Sequence, residues 1–239
     1  MLIPRLRVAT RIAVAGAVVA AATAFPAWSQ EPNQQRAEIQ AVVTQSQAAL
    51  TTLLNDPDLA SFKQNLGNAR GVLIAPELRK EVKIGKPGGR GLLVVKGADG
   101  KWHGPAFYNV ETAAEGFKAG VTVSGMVTLV MTDKAVAALQ SGNAKLGGDL
   151  SLAAGAPGAK SDATTDLIAY TGSKKGGMGD LNADGAMVKV YNDWNAAYYN
   201  SQTVSPAAIL SGKAMSRDAV SLLNTVTQAT GGPPPKAKK

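Results

Sequence analysis

Hydrophobic residues recur along this chain with two different periods, and the change from one to the other marks where helices give way to strands. Over 35–54, Ile39, Val42, Val43, Leu50, Leu53 and Leu54 fall three, four or seven apart among Gln, Ala and Thr, the spacing of one apolar helix face. Asn55-Asp56-Pro57 ends that helix, and Asp56 ahead of Pro57 is placed to cap a second, shorter one reaching Leu66. From Gly71 the texture changes. Val72-Leu73-Ile74-Ala75 is a short apolar run that Pro76 is expected to stop, 92–96 is another, and Ala98-Asp99-Gly100 turns the chain into a third over 101–109, which predicts a hairpin. Over 121–131, Val121, Val123, Val127, Leu129 and Met131 alternate with Thr122, Ser124 and Thr128, the clearest period-two pattern in the chain.

Asp133 is expected to cap a short helix through Leu139, and Ser141-Gly142-Asn143 to turn the chain into a strand over 146–154. Strands over 167–170 and 186–191 follow, separated by the glycine-rich stretch 172–185. A helix starting at Asn192 or Asp193 carries Trp194, Tyr198 and Tyr199, Pro206 opens a short turn, and 217–229 reads as a last helix. Many short strands with glycine turns, and helices gathered near the chain's two ends, predict an α+β fold. Its sheet is antiparallel, or a partly closed β-barrel of short strands, with helices at the N- and C-terminal ends. A doubly wound parallel sheet does not fit this order.

The first 29 residues stand apart from this pattern. Arg5, Arg7 and Arg11 precede any acid, 12–24 is apolar and Ala/Val-rich, and Ala27-Trp28-Ser29 places small residues where a signal peptidase reads. About 13 apolar residues are too few for the ~20 of a spanning helix, so 1–29 reads as a cleavable signal peptide rather than an uncleaved anchor. The expected location is then the bacterial periplasm, peripheral to the membrane. The chain has no cysteine, which excludes a lipidated N-terminus, disulfides and thiolate zinc sites. The remaining organisation is expected to be an N-terminal helical segment over 30–66, the principal domain over 67–212, a C-terminal helix over 213–230 and a disordered basic tail over 231–239.

The formal charge of +8 resembles a nucleic-acid signal until it is divided along the chain. The first 29 residues and the tail lysines Lys236, Lys238 and Lys239 carry three charges each, so the rest of the chain is close to balanced. With aromatics at 5%, there is no base-stacking platform either, and nucleic acid is not expected as a partner.

Candidate chemistry is sparse. His103 is the only histidine, and beside Trp102 and Gly104-Pro105 it reads more readily as a hydrogen-bonding residue of a strand than as a general base. Asp180, Asn182 and Asp184 ahead of Gly185 alternate like calcium ligands, but the closing Glu is absent, so an acidic turn is the simpler reading. Gly172-Ser173-Lys174-Lys175-Gly176-Gly177 has the freedom and charge to hold a phosphate without being a Walker loop, or is simply solvated. Arg79, Lys80, Lys83, Lys86 and Arg90 cluster beside a glycine turn, interrupted by Glu77 and Glu81. Such a cluster attracts anionic lipid headgroups at roughly 1 kcal/mol per charge, or serves as a solvated connection. No catalytic residue, metal ligand or cofactor is expected.

The order of short motifs is more specific than any one of them. Ala69-Arg70-Gly71-Val72-Leu73-Ile74-Ala75-Pro76, Gly91-Leu92-Leu93-Val94-Val95-Lys96, and Trp102 with Gly104-Pro105-Ala106-Phe107-Tyr108 resemble the opening half of the SYLF domain, also called Ysc84 or DUF500. Gly116-Phe117-Lys118-Ala119-Gly120, Leu129 to Ala135, Lys145-Leu146-Gly147-Gly148-Asp149, Asp166 to Tyr170 and Asn195-Ala196-Ala197-Tyr198-Tyr199 follow in the family's order. The resemblance implies binding rather than catalysis: SYLF proteins bind lipids, notably phosphoinositides in eukaryotes, and fungal members also bind actin. The chain departs from the family pattern in the charged segment after Pro76 and in Lys118, where glutamine is usual. The expectation is therefore a non-enzymatic protein of the cell envelope that engages anionic phospholipid headgroups through Lys80, Lys83, Lys86, Arg90, Lys118, Lys174 and Lys175. The alternative is a structural or protein-interaction component of the periplasm, with an envelope protein as its partner.

Overall fold

The computed structural model describes residues 31–79, 88–111, 122–155, 164–171 and 186–232. Helix α1 (Glu31–Asn55) presents Ile39, Val43, Leu50 and Leu53 as one buried stripe, as the three-and-four spacing requires. At its end the Asp56 carboxylate accepts from the Asp58 backbone N–H at 3.0 Å and caps a 3₁₀ turn, Pro57–Leu59, which leads into α2 (Ala60–Asn68).

Strands β1 (Gly71–Arg79), β2 (Gly88–Lys96), β3 (Trp102–Glu111) and β4 (Thr122–Val130) follow, then helix α3 (Asp133–Gln140). Strands β5 (Asn143–Lys145), β6 (Leu152–Ala154), β7 (Leu167–Thr171) and β8 (Met187–Val190) precede helices α4 (Asn192–Tyr199), α5 (Pro206–Leu210) and α6 (Val220–Ala229). The strands form one curled half-barrel sheet in the order β5-β8-β3-β2-β1-β4-β7-β6. The expected α+β class holds. One edge departs from the antiparallel expectation: β6 runs parallel to β7, with Leu152 opposite Leu167.

Both faces of this sheet are covered, which is why β1 is apolar without alternation. Val72 and Ile74 join Leu92, Val94, Phe107, Val127 and Leu129 under α1, α2 and α6, whereas Leu73 joins Leu93, Tyr108 and Val130 against α3 and α5. The helices at the chain's two ends thus share a core with the central strands. Among the described residues no helix is long and apolar enough to cross a membrane.

Three local expectations are corrected. Pro76 does not stop β1, which runs on to Arg79: the β4 ladder pairs Ala75 with Met126 and Glu77 with Ser124, passing over Pro76, and the β2 register shifts between Ile74 and Arg79. The missing N–H therefore falls at an irregularity where no ladder bond is lost. Asp133 is not the cap of α3. Thr132 is, its hydroxyl accepting from the Ala135 N–H at 3.1 Å, with Asp133 in the first turn. The strand expected over 146–154 is only β6 (Leu152–Ala154): β5 lies before it, ending at Lys145, and the chain turns at Gly147, whose φ of 73° an L side chain rarely adopts.

Candidate functional site

Register places the strand ends that flank the sequence-selected cations in one row at one end of the sheet. Arg79 pairs with Gly88 and with Thr122, Gly88 with Glu111, and Glu111 with Met187, so the ends of β1 and β3 and the starts of β2, β4 and β8 form a row. β7 points toward the same end, and Thr171 stands opposite Met126. Three segments are tied by both their ends to strands that open there: 80–87 joins β1 to β2, 112–121 joins β3 to β4, and 172–185 leads from β7 toward β8 across four intervening strands. Lys80, Lys83 and Lys86 belong to the first, Lys118 to the second, and Lys174 and Lys175 to the third. All six lie outside the described residues, as do Asp180, Asn182, Asp184 and the glycines around Lys174.

Arg90 is described, two residues in from that end. It is exposed yet held: its guanidinium carbon lies 4.4 Å from the centroid of Tyr191 and 5.5 Å from that of Trp194, and Nη1 donates to Asn109 Oδ1. The two rings are themselves 5.2 Å apart. A guanidinium over aromatic faces at an exposed position gains about 0.5–1 kcal/mol and loses little further freedom when an anion arrives. Nearby, Lys189 Nζ and Glu111 Oε2 form an exposed pair at 3.2 Å. Beneath this end Ala75, Leu78, Val110 and Met126 make a small separate core. The close approach of β1 and β2 here requires glycine, since a Cβ on Gly91 would sit 2.9 Å from the Ile74 carbonyl oxygen.

Several polar residues that stand out by type serve the fold. His103 lies on an interior strand, its Nε2 at 3.0 Å from Asp99 Oδ1 across the hairpin turn. The His103 hydrogen bond, with help from the Lys101 backbone N–H, holds the Asp99 carboxyl below the usual carboxylate range. Asn195 is fully buried and serves Phe107 twice, accepting from its N–H at 2.8 Å and donating to its carbonyl at 3.2 Å. Tyr199 donates to the Pro105 carbonyl at 2.9 Å and Tyr108 to that of Leu139 at 3.0 Å, and burial pushes both phenols upward in pKa.

Asp166 is the buried acid. Its carboxylate accepts from the Thr132 hydroxyl at 2.6 Å and, at 3.1 Å each, from Lys134 Nζ and the Ser151 N–H, joining β7 to the start of α3 and to the approach to β6. No three His, Cys, Asp or Glu side chains among the described residues could hold a metal ion. The aromatic seat of Arg90 escapes sequence reasoning, although Tyr191 and Trp194, three apart at a helix start, are its available signal. The roles of Asn195 and Asp166, both inside short motifs, likewise have no local signal in the sequence.

A family profile described as "Ysc84: Las17-binding protein actin regulator" matches residues 111–229. The human SH3 domain-containing YSC84-like protein 1 is 27% identical over 187 residues, covering 74% of this chain and 54% of that protein. Its rat counterpart is 26% identical over 187 residues, covering 74% of this chain and 55% of the rat protein. The Protein YSC84 of Saccharomyces cerevisiae is 26% identical over 157 residues, covering 62% of this chain and 33% of its own. The chain spans about half the length of the vertebrate relatives it matches, and less of the yeast one. No solved structure matches it.

Proposed function

Since the chain belongs to the Ysc84 (SYLF) family, we propose that it is a non-enzymatic binding module of the cell envelope that engages anionic phospholipid headgroups through the open end of its sheet. The observation that carries this reading is the row of strand ends: three segments bearing six lysines against four acids are tied to one edge, with Arg90 stacked and exposed beside them. Cations gathered on one edge act on a charged surface together, whereas the same number scattered over a protein do not. The periplasm is the proposed location, supported by the arginines and the short apolar stretch of the first 29 residues.

Cosedimentation with neutral phosphatidylcholine vesicles, and with vesicles containing phosphatidylglycerol, tests the reading. Binding is expected to the anionic vesicles alone and to fall as NaCl rises from about 50 to about 500 mM, where the screening length shrinks to a few ångströms. Reversing Lys83, Lys86, Lys118 and Lys175 to glutamate together should weaken it by about a hundredfold or more at low salt, each lysine being worth roughly 1 kcal/mol near a charged surface. Equal binding to both vesicle types, or none to either, would remove the lipid reading. Retention of an envelope protein by a chain indifferent to vesicles would favour an interaction role instead.

A further inference from the structure

The far end of β3 offers a second kind of surface. Trp102, Leu223, Val220 and Met215 line a groove of about 500 Å³ between the start of β3, the loop over 214–217 and α6. Val220 and Met215 are 48% and 82% exposed and are the large hydrophobic residues left open among the described residues, so both open positions fall on this one groove. Its walls are fixed. Trp102 is buried and donates through Nε1 to Thr230 at 3.2 Å, pinning the strand to the end of α6. Gly212, with φ at 78°, carries the loop over the His103 ring so closely that a Cβ there would lie 2.6 Å from Cε1. Ser216 holds the loop's exit by accepting from the Asp218 N–H at 3.3 Å.

The groove is asymmetric in a way that names its occupant. Its body is apolar, and at its rim Arg217 is exposed with no salt-bridge partner among the described residues. A volume in the range of small-molecule sites, lined mainly by apolar side chains and open to solvent along one side, with Arg217 at its rim, suits a single hydrocarbon chain ending in an anion. We infer that this groove binds a monoacyl anion, of the class of a long-chain fatty acid, with the chain against Trp102, Leu223 and Val220 and its carboxylate at Arg217. The inference does not rest on the lipid reading of the opposite end.

The test uses 9,10-dibromostearate below its micelle concentration, because bromine quenches tryptophan on contact. Saturable quenching is expected in the full chain and should be absent from Trp102→Phe, which leaves the other tryptophans in place. Val220→Glu, at an exposed position that folding does not need, should weaken binding about tenfold or more by setting a charge against the chain. Arg217→Ala should weaken binding of the acid while leaving that of dibromostearyl alcohol unchanged. No saturable quenching, or quenching indifferent to Val220→Glu, would overturn the assignment. So would sedimentation showing that Val220→Glu dissociates a dimer, which would give the groove to a second copy. Reversal of the lysines at the other end should leave the quenching as it was, so each proposal can fail alone.

Discussion

Asn195→Leu is expected to destabilise the protein by about 2–4 kcal/mol, a large share of the margin an ordinary domain has. Leucine shares asparagine's branching at Cγ but is bulkier, so at this fully buried position overpacking adds to the lost hydrogen bonds. β8 reaches along β3 only to the pair Tyr108 and Val190, which leaves the backbone of Phe107 with no strand on that side. Asn195 and the Tyr191 N–H fill the gap, the latter donating to the Phe107 carbonyl at 2.9 Å. The carbonyl therefore keeps a partner in the variant, while the buried Phe107 N–H has none and carries its full desolvation penalty. The Phe107 ring contacts with Trp194 and Tyr198, at 5.9 and 5.0 Å, should loosen along with it. Urea titration followed by tryptophan fluorescence should show a lower midpoint with an unchanged slope. A midpoint within error of the parent would mean that the side-chain amide is dispensable.

Asp166→Asn is expected to lower stability at neutral pH by about 3 kcal/mol, because three donors, the Thr132 hydroxyl, Lys134 and the Ser151 N–H, lose a charged acceptor in a buried place. Burial by itself raises the pKa of this carboxyl, but the Thr132 hydroxyl, the Ser151 N–H and Lys134 outweigh it and hold it below the usual carboxylate range. In the window between the folded and unfolded pKa values the unfolded chain binds more protons, so stability rises with pH there. The contribution is complete above the unfolded value near 3.9 and is lost as pH falls through the folded one. The parent's melting temperature should thus drop in acid more steeply than that of Asp166→Asn, and the two curves should converge at low pH. Parallel curves would assign the acid sensitivity to other carboxylates.

α1 is legible because it turns one face to a core and the other outward, whereas β4 is buried on both faces over 125–130 and is legible only because threonine and serine happen to alternate with its apolar residues. β1 also reads as a strand, but its end does not, because a proline is excluded from a sheet interior only where its N–H is needed, and the register shift beside Pro76 lies in the pairing with β2. That the chain turns at the start of 146–154 instead of running on as a strand depends on the backbone angle of Gly147, one glycine among 26. The basic residues were visible as types. That the strand ends flanking them share one edge is a property of strand order, which joins positions as distant as Arg79 and Met187 and leaves no local trace. The seat of Arg90 on Tyr191 and Trp194, a hundred positions along the chain, is a contact of the same kind.

Strand β3 runs ten residues, from Trp102 in the groove to Glu111 beside the basic edge. At about 3.3 Å per residue that is roughly 30 Å, comparable with the hydrocarbon thickness of a bilayer. A chain standing on a membrane by its basic edge would therefore hold the groove well clear of the lipid, facing water. A molecule in the groove could not slide there from the bilayer beneath: it would have to arrive by diffusion or when the protein tips over. On the two proposals together, this strand would separate capture from anchorage, so that occupancy of the groove and attachment to the membrane should vary independently.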